Sequence, residues 1–280
     1  MNTRILILFI LFLLLGQSES EAGSKVTNNR RFNIEKDLLL AHFDCKTDVD
    51  DLHSVAAMAI ILRSETYSEI NFHAVAGTYG IQEGLYVPPN DLFQLAFGKQ
   101  WSDADSDFKK ALNEVYAIVE STLNNGANVW IAEAGQSDFS AAHVNLIKKE
   151  MPQVDTGNRI TIVQHSDWNE KVTAPESLLF VKEKTNYLKI EDGNAEGNGT
   201  PGFRTPGYNH WKDKLKDRNL IEIWQLAVDL GLQYNGKEGR YNNKAVETGG
   251  LDFSDISKVC YILNLEDIKD TEEFFMRFAQ

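Results

Sequence analysis

From residue 34 onward, short apolar runs alternate with longer amphipathic stretches. Residues 38–44 (LLLAHFD), 70–78 (INFHAVAGT), 128–135 (NVWIAEAG), 159–166 (RITIVQHS) and 187–191 (YLKIE) read as strands, being short, apolar and bounded by turn formers. Between and after them, residues 51–63, 105–123, 139–149, 174–184, 213–231, 255–263 and 270–278 read as helices, amphipathic and longer than the strands. Strands alternating with helices predict βαβ units, and near-continuous apolar strands predict a sheet covered on both faces. The expected fold is α/β: a single domain over residues 34–280, with a mostly parallel central sheet flanked by helices, Rossmann-like in architecture. No internal repeat and no Pro- or Ser-rich linker divides it.

The N-terminal end reads differently. Arg4 precedes an unbroken apolar run over residues 5–15, and small residues follow at Ser18 and Ser20. This predicts a signal peptide over residues 1–20, because the run is too short for a spanning helix of roughly 20 residues. Residues 21–33 read as a flexible polar arm. The expected protein is secreted or periplasmic, with no membrane attachment after signal cleavage. Cys45 and Cys260 are the only cysteines. Two do not make a disulfide framework, and each lies in or beside an apolar run that suits a buried thiol. Whether they pair is left open.

Charge narrows the partners. In 280 residues, 28 Lys and Arg face 41 Asp and Glu, a formal charge of −13. A nucleic-acid backbone rewards Lys and Arg, so this balance argues against such a partner. The location of the acidic side chains matters more than their sum. In parallel α/β sheets the ligand site lies beyond the carboxyl ends of the strands. After the first strand comes DCKTDVDD, which places Asp44, Asp48, Asp50 and Asp51 within eight residues. Asp50 and Asp51 open a helix whose N-terminus favours negative charge, but Asp44, at a strand end, has no such compensation. A hard divalent cation bound through carboxylate oxygens would compensate all four, and Ca²⁺ is the natural candidate. The spacing is not that of an EF-hand loop.

The same segment resembles the D-x-D-x-x-x-D-D motif of the inosine–uridine-type nucleoside hydrolases, with Asp44, Asp50 and Asp51 on its first, third and fourth aspartates. Lys46 stands at the second, which in that family contacts calcium and serves as general base; either Asp48 takes over the role through a shifted loop, or Lys46 replaces part of the metal charge and leaves a site with weak or no calcium binding. Further matches follow in order along the chain. Val75-Ala76-Gly77 resembles V-A-G-N, with Thr78 in place of the sugar-binding Asn. Gly135-Gln136-Ser137-Asp138 resembles the G-P-L-T-N turn, which lends a main-chain oxygen to calcium, and by that match Asp138 holds the ligand position. Trp168-Asn169-Glu170 and Ala174-Pro175-Glu176 resemble the segment that holds ribose hydroxyls. Asp252-Phe253-Ser254-Asp255 resembles H-D-P, with Asp255 on the metal aspartate and Ser254 where the leaving-group His would be. The resemblance implies metal ligands Asp44, Asp51, Asp138 and Asp255, and a proton acceptor in Asp48 or Asp50.

Among the histidines, His165 ends the fourth strand beside Asp167 and Trp168 and is the first choice to protonate a departing base; His210 is the second. His42 and His73 read as packed strand residues, and His53 and His143 as helix residues. The Gly- and Asn-rich stretch 193–202 serves either as a surface loop or as a pocket mouth carrying Asn194, Glu196 and Asn198. Asn198-Gly199-Thr200 is also a glycosylation sequon. No zinc or serine-hydrolase motif occurs, and no P-loop or G-x-G-x-x-G follows a strand. The expected function is hydrolysis of N-ribosyl or related glycosidic bonds with a calcium-bound water, acting on a small-molecule nucleoside or sugar. Sugar contacts are expected from Thr78, Asp167, Trp168, Asn169 and Glu170. Two alternatives stay open. One is a non-catalytic sugar- or nucleoside-binding protein, which Lys46 and Ser254 favour. The other is a glycosidase for another carbohydrate, with acid and base from Asp167, Glu170 and Glu196. Homo-oligomer formation is also left open.

Overall fold

The computed structural model describes residues 30–193 and 202–279. The expected signal peptide, most of the expected N-terminal arm, and Asn194, Glu196 and Asn198 with their sequon lie outside the described residues. Among the described residues, no helix is long and apolar enough to cross a membrane.

The fold is α/β, with one six-stranded parallel sheet flanked by helices. Strands β1 (Leu38–Phe43), β2 (Asn71–Ala76), β3 (Trp101–Asp103), β4 (Val129–Ala134), β5 (Ile160–Gln164) and β6 (Asn186–Lys189) stand in the order β3-β2-β1-β4-β5-β6. Every neighbouring pair is parallel. Five of these strands are the five apolar runs. The sixth, β3, has only three residues at a sheet edge, too short to show a period. A small antiparallel pair, β7 (Arg204–Thr205) with β8 (Leu251–Asp252), completes the strands.

The helices are α1 (Asp50–Arg63), α2 (Asn90–Phe97), α3 (Phe108–Asn124), α4 (Asp138–Glu150), α5 (Thr156–Arg159), α6 (Asp167–Lys171), α7 (Pro175–Lys184), α8 (Arg218–Tyr234), α9 (Lys244–Glu247), α10 (Ser257–Ile262) and α11 (Thr271–Phe278). Two start later than their apolar pattern suggests. Asp107 caps α3 by accepting the Lys110 N–H, and Asp217 caps α8 by accepting those of Asn219 and Leu220. Residues 105 and 213, also aspartates, therefore fall outside. The stretch 255–263 is not one helix; a 3-10 turn over Ser254–Ile256 precedes α10.

Both faces of the sheet are covered, as the unbroken apolar strands require. Leu39, Ala41 and Phe43 of β1 pack with α1, α2 and α8, whereas Leu38 and Leu40 pack with α3, α4 and α7. Alternation along the strand then puts His42 of β1 and its register partner Glu133 of β4 on the α3–α4 side. Cys45 and Cys260 are buried free thiols and do not pair.

Candidate metal centre and cleft

In this strand order the chain reverses direction across the sheet between β1 and β4, and that crevice is where ligands bind in open parallel sheets. The loop after β1, residues 44–49, fills it, together with Gly135 after β4 and His165 after β5. Glycine is required at 135: its φ is +148°, and an added Cβ would stand 2.6 Å from the Asp44 Cβ. Cys45 takes the left-handed conformation at φ 52°, uncommon for a residue with a side chain, and its N–H is fixed by the Asp51 Oδ2 acceptor at 2.6 Å.

Three carboxylates meet at the floor of this crevice. One oxygen each from Asp50, Asp51 and Asp255 lie within 4.8 Å of one another. Asp51 is buried, at 2% exposure, and its Oδ1 has no hydrogen-bond partner among the described residues. Such a group costs free energy unless a cation or proton meets it. Burial, with neighbouring Asp255 and Asp44, pushes the Asp51 carboxyl well above the usual range. Burial and Asp48 do the same to Asp50. Asp255 behaves oppositely. Burial would raise it, but the Lys258 ammonium at 2.6 Å and His165 Nε2 at 3.1 Å outweigh burial and hold it low. All-oxygen donors suit a hard cation such as Ca²⁺ or Mg²⁺.

Asp44 and Asp48 flank the trio. Asp44 accepts the Lys46 N–H at 2.9 Å and the Gln136 amide at 2.8 Å, and burial pushes its carboxyl up to about 6. Asp48 accepts the Val49 N–H and Asn243 Nδ2, and burial with nearby Asp252 pushes it up to about 7. The orientation of Asn243 is set from behind. Its Oδ1 caps α9 on the Ala245 and Val246 N–H groups, so Nδ2 is free to donate to Asp48 and, at 2.8 Å, to Asp252. Arg204 pairs with Asp252 at 3.2 Å. Lys46, at the motif position where an aspartate is expected, turns its ammonium over the Tyr79 ring, 4.2 Å from the centroid.

Above the carboxylates opens a cleft of about 380 Å³, within the range of roughly 300–1,000 Å³ common to small-molecule sites. Of the sequence-predicted residues, Asp44, Asp48, Asp50, His165, Trp168, Asn169 and Asp255 line it. Trp168 presents a ring 55% exposed, and Tyr241 one 50% exposed. Asn169 is braced by Gln164 Oε1 at 3.2 Å. His165 is buried; its Nδ1 accepts the Gly193 N–H at 3.0 Å, so the ring proton is on Nε2, directed at Asp255. Burial, then Lys258, keep its pKa low.

Other expected residues lie elsewhere. Asp138 stands apart from the trio: at the start of α4, its carboxylate faces the Ala174 N–H at 3.3 Å. Thr78 is fully buried behind the loop, with its N–H on the Phe43 carbonyl. Asp167 projects into solvent and pairs with Lys189. Glu170 is occupied by Lys182, Lys189 and the Tyr187 hydroxyl. Ser254 is buried, and its hydroxyl donates to Asp252. His210 lies against Tyr208 and Glu272, away from the cleft. Conversely, Gln82, Arg204, Tyr241 and Asn243 had no local motif to mark them. Lys258 did carry a signal, its i, i+3 spacing from Asp255.

No protein-family model, curated protein or solved structure matches the chain, so its functional reading rests on its own residues.

Proposed function

We propose that the chain is an exported hydrolase of N-ribosyl or related glycosidic bonds, a divergent relative of the nucleoside hydrolases its motifs resemble. One observation carries the reading: Asp50, Asp51 and Asp255 converge at the switch point of the sheet, under a sugar-sized cleft, with the buried Asp51 Oδ1 lacking a partner. These three side chains would hold a calcium ion. Such an ion orients sugar hydroxyls and acidifies water.

The chain's own groups supply the rest. Asp48, poised near neutrality and steadied by Asn243, is suited to take a proton from water at physiological pH. The exposed Trp168 ring offers a stacking face for a base or sugar. The His165 ring proton is committed to Asp255, so the bonds favoured are those whose leaving groups depart without protonation. The same commitment supports a second reading, a binding protein on this fold.

The test is turnover of a panel of nucleosides and aryl glycosides, with calcium and with chelator. Calcium-dependent release of base or phenol is expected, abolished in Asp51→Ala and lowered about 10²-fold or more in Asp48→Asn. Tight sugar binding by calorimetry without turnover would overturn the enzyme reading in favour of the binding protein.

A further inference from the structure

Lys258 is among the largest fully buried side chains of the molecule, and its ammonium lies 2.6 Å from Asp255 Oδ1. A buried ammonium is costly unless its charge is needed where it sits. Its helix supplies no reason: Val259, Cys260 and Ile262 around it are apolar core. The reason lies in the acidic floor. Asp50, Asp51 and Asp255 bring three formal negative charges into contact range.

The other cations nearby are used elsewhere. Arg204 is paired with Asp252, and Lys46 lies over Tyr79. His165 carries a single ring proton and is neutral, because its Nδ1 accepts the Gly193 N–H. Asp44, beside Asp51, and Asp48, beside Asp50, add to that charge, since their own partners are neutral N–H and amide donors.

We propose that Lys258 is the charge-setting residue of the cation site: held on Asp255, it cancels one of the trio's three carboxylate charges and so lowers the charge the floor presents to an ion. It acts through Asp255 and touches no substrate. The inference rests on the cation reading above and adds to it a resident counter-charge.

The charges make opposing predictions for two variants. With Asp255→Asn alone, two carboxylates face one ammonium, and calcium affinity measured by calorimetry falls steeply. With Asp255→Asn and Lys258→Met together, two carboxylates face none, and affinity recovers at least about tenfold, the effect of removing one like charge at contact distance. A lysine that merely props up the helix predicts the reverse, a double variant binding no better than the single one. That result overturns the proposal, as does a double variant that fails to fold, since replacing a buried ion pair with neutral side chains is otherwise well tolerated. Lys258→Met alone should raise the preference for terbium over calcium, read by terbium luminescence, because three uncancelled carboxylates favour a trivalent ion; an unchanged preference counts against the proposal. If the unaltered protein binds no divalent cation, the cation reading itself has failed. If it binds calcium and the double variant shows no recovery, only the role of Lys258 has failed.

Discussion

Glu133 and Asp51 are both buried carboxylates near the carboxyl ends of the central strands, yet their surroundings differ. Glu133 Oε1 accepts the Ser140 hydroxyl at 2.6 Å, and Oε2 accepts Ser137 at 2.7 Å and Gln164 Nε2 at 3.0 Å. Asp51 Oδ2 accepts one N–H, while Oδ1 is partnerless with acidic neighbours beside it. Burial raises both carboxyls. The difference lies in what opposes burial. Around Glu133, three neutral donors do; around Asp51, other carboxylates add to the cost. Burial alone therefore does not mark a site, whereas burial with an incomplete set of donors does.

Glu133 is a structural hub. Gln164 links it to the cleft wall: its Nε2 also donates to the Gly135 carbonyl, and its Oε1 accepts from His165 N and Asn169 Nδ2. Glu133→Ala leaves three buried donors and a void, so a loss of about 3 kcal/mol or more is expected in urea denaturation, equal in calcium and in chelator. Asp51→Asn should part from it in sign. Without calcium, removing a charge the site cannot compensate stabilises the fold by about 1 kcal/mol, and the calcium-dependent gain disappears. A Glu133 effect that calcium rescues, or an Asp51 effect that calcium leaves unchanged, would erase the distinction between the two carboxylates.

The pH dependence sharpens the same contrast. Asp44 and Asp48 sit at about 6 and about 7, above the ordinary carboxylate range. Their contribution is full at acid pH, below the unfolded value, and is lost as pH rises through 6 and 7. A bound cation offsets that loss by favouring the charged forms. The stability gained on adding calcium should therefore grow between pH 5 and pH 8, by on the order of 2 kcal/mol. Buried His42, His53, His73 and His143, lowered by burial to about 3 or 4, act in the other direction. They stabilise the fold above the unfolded histidine value and lose that contribution as pH falls toward 4. Their effect is common to both arms and cancels in the difference, which thermal melts at matched pH would read. A difference flat with pH would break the link between the acidic loop and the cation.

What the sequence made legible follows from what is local. β1, β2, β4 and β5 were readable because continuous apolar runs report burial on both faces; β6, half-buried at the sheet edge, showed only a short apolar run. The DCKTDVDD loop was readable because one strand and one helix hold it in register. Asp255 was found by resemblance, two hundred residues away, and the structure brings it to Asp50 and Asp51. Asp138 shows the limit. At the start of α4, its carboxylate is turned to the Ala174 N–H, so any part it takes falls to its main-chain oxygen, as the resemblance implies. Arg204 and Tyr241 reach the cleft, and Asn243 reaches Asp48 behind it, from segments remote in sequence, and no spacing rule announces such a meeting. Glu133 looked like any strand residue, because its partners come from α4 and β5.

Asp167 should give the smallest effect, and it separates the two hydrolytic readings most cleanly. It follows His165 by two residues and was a candidate acid or base for a glycosidase of another carbohydrate. In the fold its carboxylate is almost wholly in water, where Lys189 holds it somewhat below its ordinary pKa. An exposed pair of this kind contributes little to stability, because solvent and salt screen it. Lys189 also keeps a second partner in Glu170, so the pair's loss does not strand an ammonium. Asp167→Asn should therefore leave the melting temperature, calcium affinity and turnover within measurement error. A general acid must sit within hydrogen-bond reach of the bond it protonates, and a carboxylate turned to bulk solvent does not meet that requirement here. A drop in turnover at unchanged calcium affinity would show that Asp167 swings into the cleft with substrate bound, and would favour the glycosidase reading over the one led by Asp48.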